Sequence, residues 1–188
     1  MTNVRFDSIT DYRDSESLNM YREFVQERRI DPQEAMTMIY AKGCDNARTP
    51  MQWDASDHAG FTTGTPWIKV NPNYQAINAK QAVADPHSIF AYYQQLIRLR
   101  KANPVIVYGT YDLLDETDAT IYAFTRTLND DRLLIILNFT NTMPVFSIPT
   151  SIVSANAELL ISNYPVDSPD LISNLTLRPY EARVYRIG

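Results

Sequence analysis

The hydrophobic period of this chain changes at Asn103-Pro104. No single regular layer can serve both sides of that point. Before it, apolar residues recur at three- and four-residue spacing, the mark of helices with one buried face. After it they alternate, as in half-buried strands. Proline both biases the residue before it away from helix and removes a backbone donor, so the break is sharp. The chain therefore reads as α+β, with residues 1–103 and 104–188 as separate domains.

In the first part, Asp14 or Ser15 can cap a helix bearing Leu18, Tyr21, Phe24 and Val25. Asp31-Pro32 opens a second helix, with Glu34 at capping-box spacing and Met36, Ile39 and Tyr40 as its apolar stripe. From Gly43 to about Ala84 the helical pattern lapses around Pro50, Pro66 and Pro72. An irregular segment of that length inside a domain is uncommon unless it serves a function. Asp85-Pro86 restarts a helix carrying Ile89, Phe90, Tyr93, Leu96, Ile97 and Leu99 up to Asn103.

Strands are expected at 105–108, 119–127, 132–139, 145–148, 158–161 and 182–187. Asn129-Asp130-Asp131 and the 141–144 segment ending in Pro144 supply turns between them. Short strands at such spacing make a small antiparallel sandwich, with Tyr180 and Tyr185 packing inward near its closing strand.

Composition removes several classes of function. A net charge of −5 and a longest basic cluster of only Arg28-Arg29 exclude a broad nucleic-acid or anionic-membrane surface. No apolar run approaches a membrane span, and the first residues lack the basic and apolar regions of a secretion signal. The single cysteine, Cys44, allows no intrachain disulfide and suits a reducing cytosol. Asn138 and Asn174 stand in glycosylation sequons, which are fortuitous without a secretory route. His58 and His87 with Cys44 are too few for a metal centre, and no cofactor motif is visible. Neither histidine gives Cys44 the context of a nucleophilic thiol.

The densest polar string is Lys42 to Asp54, KGCDNARTPMQWD. Arg48 offers a bidentate donor fork, Asp45, Asn46 and Gln52 offer planar carboxylate or amide groups, and Trp53 offers a face on which a pyranose can lie. The same residues also suit a solvated turn. Arg48 could equally form an internal salt bridge, and Trp53 and Trp67 could pack beneath the loop. Asp45 and Asp54 could act as turn and capping residues.

This string resembles the K-[SG]-R-D-N-A-R-T-P-M-Q-W-D signature of the α-glucosidases that include oligo-1,6-glucosidase and dextran glucosidase. The segment Gly60 to Tyr74, GFTTGTPWIKVNPNY, continues the match, and the 107–111 and 179–182 segments extend it towards the end of the chain. The resemblance implies the last part of a catalytic (β/α)8 barrel, including its final helix at about 86–102, followed by an accessory β-sandwich. Met1 then matches an interior methionine of that family.

In that family retaining hydrolysis uses two carboxyl groups about 5 Å apart on barrel strands. None of those motifs is present, so no catalytic residue is assigned and the chain by itself is expected to be inactive. Short α-linked gluco-oligosaccharides are the implied substrate. The missing amino-terminal barrel portion is the implied partner, and self-association through uncovered barrel surface is a further expectation. The first arginine of the signature, thought to reach the hydroxyls of the innermost glucose, is matched here by Cys44, which cannot donate a charged fork. Arg48 matches the second arginine, with Asp45 and Asn46 between them as further substrate-binding candidates. The alternatives are a noncatalytic sugar-binding or self-associating module and the remnant of a disrupted gene.

Overall fold

Asp14 accepts the backbone N–H groups of Glu16 and Ser17 and so starts helix α1, Ser15–Arg22. That side chain supplies an acceptor for donors which the helix itself leaves open. A π-turn, Glu23–Glu27, prolongs α1 until Arg29 turns left-handed at φ 58°. Asp31 then caps α2, Pro32–Lys42, with Pro32 in its first turn, where a missing N–H costs nothing. The structure, a computed structural model, describes residues 1–150, 152, 157–166 and 174–188. They form two units, Met1–Ala91 and Tyr92–Gly188.

The core of the first unit joins Val4, Phe6 and Tyr12 to Met36 and Ile39 of α2 and to Ile68. Phe6 meets Tyr12 edge-on at 5.2 Å between ring centroids. Gly43 ends α2 by passing so close to it that a Cβ would lie 2.8 Å from the Ile39 carbonyl oxygen and 3.0 Å from Ser17 Oγ. Between 43 and 84 the chain is less irregular than its pattern suggests. Three 3-10 turns, at 44–46, 57–60 and 72–75, precede helix α3, Ala79–Ala84. Asn78 caps α3 by accepting the Gln81 N–H. At six residues, α3 is too short to display a helical period.

Helix α4, Ile89–Ala102, begins three residues beyond Pro86, after a turn that Asp85 closes on the His87 and Ser88 N–H groups. The division between the two units falls within it, whereas the change of period lies at Asn103-Pro104. Residues 105–108, expected as a strand, form helix α5, Pro104–Tyr108. Pro104 at its first position preorganises φ for helix, and Arg126 Nη2 donates to the Ile106 and Val107 carbonyl oxygens at 3.2 and 3.3 Å. Open carbonyls at a helix end are thus satisfied from a strand.

Seven strands follow: β1 Thr110–Leu113, β2 Ile121–Leu128, β3 Asp131–Asn138, β4 Val145–Ser147, β5 Ala157–Ser162, β6 Asn174–Thr176 and β7 Ala182–Ile187. An antiparallel sheet runs β1-β2-β3-β7-β5, and β4 pairs with β6 in a second sheet. Asn129, at φ 52°, carries the left-handed turn that joins β2 to β3. One core seals the two sheets, with Ile121, Ala123, Leu134, Ile136, Tyr185 and Ile187 facing Phe146, Leu175 and Leu177. Each fully buried large apolar side chain there contributes roughly 1.5–3 kcal/mol.

The expected sandwich is therefore present, although only one of its two tyrosines points inward. Tyr185 is buried, whereas Tyr180 is exposed in a turn at φ 56°. At one end of the core the buried Glu181 accepts from Arg183 Nε at 2.7 Å and from the Arg178 N–H, while Arg183 also donates to the Tyr185 hydroxyl. Asn138 is buried beside this end. Its amide nitrogen donates to the carbonyls of Thr142 and Arg178, and its Oδ1 accepts from Thr140.

Candidate functional site

The turn after α2 divides its residues into two sets. Asp45 and Asn46 point inward. Asp45 Oδ2 accepts the Arg13 and Asp14 N–H groups at 2.6 and 2.7 Å. Asn46 donates to the Ile39 and Tyr40 carbonyls, closing the end of α2, and accepts the Tyr12 hydroxyl at 2.8 Å. Its own carbonyl takes the Val4 N–H. Both side chains are almost fully buried, and they tie three stretches of chain together. This is the turn-and-cap arrangement, with their polar atoms spent on protein.

Cys44 and Arg48 point the other way and are exposed. Arg48 forms no ion pair among the described residues. Its charge does reach Asp14. Burial pushes the Asp14 carboxyl up, but the Ser17 hydroxyl, the Ser17 and Glu16 N–H groups and Arg48 together hold it below the usual carboxylate range. The loop carries an exposed guanidinium close in sequence to an exposed thiol, and only the guanidinium can grip vicinal hydroxyls by a charged fork.

Beyond Pro50 the loop is fastened from inside by Gln52. Its Nε2 donates to Asn73 Oδ1 at 2.8 Å and to the Ile77 carbonyl at 2.7 Å, and its backbone carbonyl takes the Ala79 N–H. Asn73 and Asn71 in turn hold Thr2. Trp53 and Asp54 both donate their N–H groups to the Ala59 carbonyl. That closure needs His58, Ala59 and Gly60 in left-handed conformations, at φ 53°, 60° and 66°. Strained backbone of this kind persists only where its surroundings fix it. Asp54 accepts from the Ser56 N–H and hydroxyl, which keep its carboxyl below the usual range.

Trp53 and Trp67 are each 53 % exposed, so neither is packed beneath the loop. With Phe61, also exposed, they give this segment three open aromatic faces. A cleft of about 470 Å³ lies along the same segment, lined by Asp54, Ser56, Asn78, Lys80 and Gln81. It contains neither Cys44 nor Arg48. The pattern did not flag Asn78, Lys80 and Gln81, because the cap on α3 was its only signal. Among the described residues, no three of His, Cys, Asp and Glu gather as a metal site requires.

Comparison with known proteins places these features. The alpha-amylase catalytic-domain family matches residues 1–109, and the family of the alpha-amylase SusG C-terminal domain matches residues 121–184. The chain belongs to the alpha-amylase family. Over its whole length it is 60 % identical to the oligo-1,6-glucosidase of Parageobacillus thermoglucosidasius and 56 % identical to that of Bacillus cereus. Among solved structures, trehalose-6-phosphate hydrolase of Bacillus licheniformis superposes with a TM-score of 0.90 at 44 % identity, covering 100 % of this chain and 34 % of that one. The chain spans 33 % of the length of each oligo-1,6-glucosidase.

Proposed function

We propose that this chain is the carboxy-terminal part of an α-glucosidase of the oligo-1,6-glucosidase kind, whose complete form hydrolyses short α-glucosidic oligosaccharides with retention. The observation that carries this reading is the signature of residues 42–54 and 60–74, kept except at Cys44 and set in a chain 60 % identical to an oligo-1,6-glucosidase. Residues 1–103 are then the closing part of the barrel, and residues 104–188 are its accessory sandwich. Arg48 and the position of Cys44 face substrate, while Asp45 and Asn46 hold the turn that presents them. The catalytic carboxylates belong to the remainder of the enzyme, so the isolated chain binds sugar weakly and does not hydrolyse it. The reducing cytosol is its proposed compartment, on the strength of its one cysteine. No helix of the described residues is long and apolar enough to cross a membrane.

The test uses isomaltose and the purified chain. No glucose should be released, and measurable release would sink the inactivity. Replacing Cys44→Arg restores the signature fork. It should tighten isomaltose binding, followed by Trp fluorescence, by about tenfold to a hundredfold, the worth of a charge-assisted hydrogen bond. An unchanged affinity would remove this turn from the sugar site.

A second reading, a noncatalytic sugar-binding module, draws on the exposed Trp53, Trp67 and Phe61. Under it the unaltered chain already quenches saturably with isomaltose or maltose at millimolar concentration or below, on the order expected of a modest stacking site.

A further inference from the structure

The cleft of about 470 Å³ beside α3 holds polar groups that the fold leaves unspent. Backbone bonds build it. The Gln52 and Trp53 carbonyls take the Ala79 and Lys80 N–H groups, which sets the start of α3 against the 52–54 stretch. The ammonium of Lys80 forms no ion pair among the described residues, although its charge reaches Asp54. Asp54 spends Oδ1 on the Ser56 N–H and hydroxyl, and its Oδ2 accepts nothing from the described residues. The Ser56 groups, with Lys80 behind them, hold that carboxyl below the usual range. Gln81 donates its amide nitrogen to the Gln75 carbonyl and leaves Oε1 open among the described residues. Ala55 and Ala84 add apolar wall.

One charged donor and two acceptors restrict what can sit there. An anion meets the Asp54 carboxylate, and a cation meets the Lys80 ammonium. A neutral molecule whose groups both donate and accept satisfies all three. Ring hydroxyls do so, while the C–H face of the ring lies on the alanines. The volume falls within the roughly 300–1,000 Å³ of small-molecule sites.

We propose that the α3 cleft is a second glycosyl subsite, where Lys80 donates to the hydroxyls of a neutral pyranose and Asp54 and Gln81 accept from them. It is distinct from the signature turn, since neither Cys44 nor Arg48 lines it. The proposal rests on the glucosidase reading above for the kind of sugar alone, an α-linked glucoside.

The experiment titrates the 15N-labelled chain with isomaltose and follows its backbone amides. Saturating shifts are expected at Ser56, Lys80 and Gln81. Lys80→Met should weaken them about tenfold, the worth of a charge-assisted hydrogen bond, and Lys80→Arg should largely restore them. Ala84→Phe, which fills the cleft from an exposed position, should abolish them, whereas Val83→Ser, exposed on α3 but outside the cleft, should change nothing. Unmoved amides elsewhere in each spectrum verify that the variants fold. Absence of saturable shifts at the cleft, an unaltered affinity in Lys80→Met, or equal saturation by glycine or inorganic phosphate would each overturn the proposal. The amides of Cys44 and Arg48 separate this result from the functional reading. Shifts confined to them remove the cleft and leave the signature turn as the sugar site, and shifts confined to the cleft do the reverse.

Discussion

Tyr12 donates its hydroxyl to Asn46 Oδ1 at 2.8 Å, and both side chains are sealed from solvent although 34 positions separate them. Asn46 also closes α2, so one amide satisfies a phenol and two carbonyls. Asn46→Ala would strand the phenol and the Tyr40 carbonyl, while the Ile39 carbonyl keeps the Gly43 N–H. The expected loss is on the order of 3 kcal/mol, the cost of leaving several buried polar groups unpaired. Urea unfolding followed by Trp fluorescence reads it directly, because both tryptophans lie in the first unit. A loss below 1 kcal/mol, the worth of one ordinary hydrogen bond, would mean that water replaces these contacts.

The same phenol sets an alkaline limit. Burial, and then the neighbouring Tyr40, push Tyr12 from its ordinary value of 10.0 up to about 12. The folded state therefore keeps a proton that the unfolded chain releases first. Its contribution is complete below pH 10 and is lost as pH rises through about 12. Tyr12→Phe should flatten that part of the pH–stability curve, and a curve of unchanged slope would assign the alkaline limit to other groups.

Gly43 is constrained by space and not by dihedral angle. At φ −62° any residue is comfortable, yet a Cβ would press on the Ile39 carbonyl and on Ser17. Gly43→Ala should cost about 1–3 kcal/mol through overpacking. Pairing the change with Ser17→Gly relieves one of the two clashes, and partial recovery of the melting temperature checks the mechanism.

In the sandwich, Glu181→Leu would leave the Arg183 guanidinium buried with its main partner gone. Removing one side of a buried pair typically costs about 3–5 kcal/mol, whereas replacing both sides with apolar groups is often neutral. The double variant Glu181→Leu, Arg183→Met should therefore melt close to the parent, with the single variant well below it. Equal melting of single and double variants would show that Arg183 left without Glu181 carries no burial penalty.

Much of this architecture was legible in residue pattern. Asp14 and Asp31 announced α1 and α2, because a capping carboxylate and a periodic stripe reinforce each other locally. The strands β2, β3 and β7 alternate cleanly, since one face meets the core. Residues 105–108 misled because a run of apolar side chains has no period of its own, and only Pro104 and the distant Arg126 decide for helix. Strands β1 and β6 were missed, being four and three residues long and largely exposed. At the loop, sequence singled out the 42–54 turn but could not say which way each side chain faces. The inward turn of Asp45 and Asn46 depends on Arg13, Asp14 and Tyr12, more than 30 positions away.

The buried amide of Asn138 has a bearing on how the protein can be made. An oligosaccharide attached to that nitrogen would displace a hydrogen bond to Thr142 or Arg178 and force its way into a closed interior. Modification at Asn138 and closure of the sandwich are thus mutually exclusive. Asn174 lies exposed on β6 and imposes no such choice. A eukaryotic secretory host would accordingly yield folded molecules bearing sugar at residue 174 alone, and would consign any chain decorated at 138 to degradation.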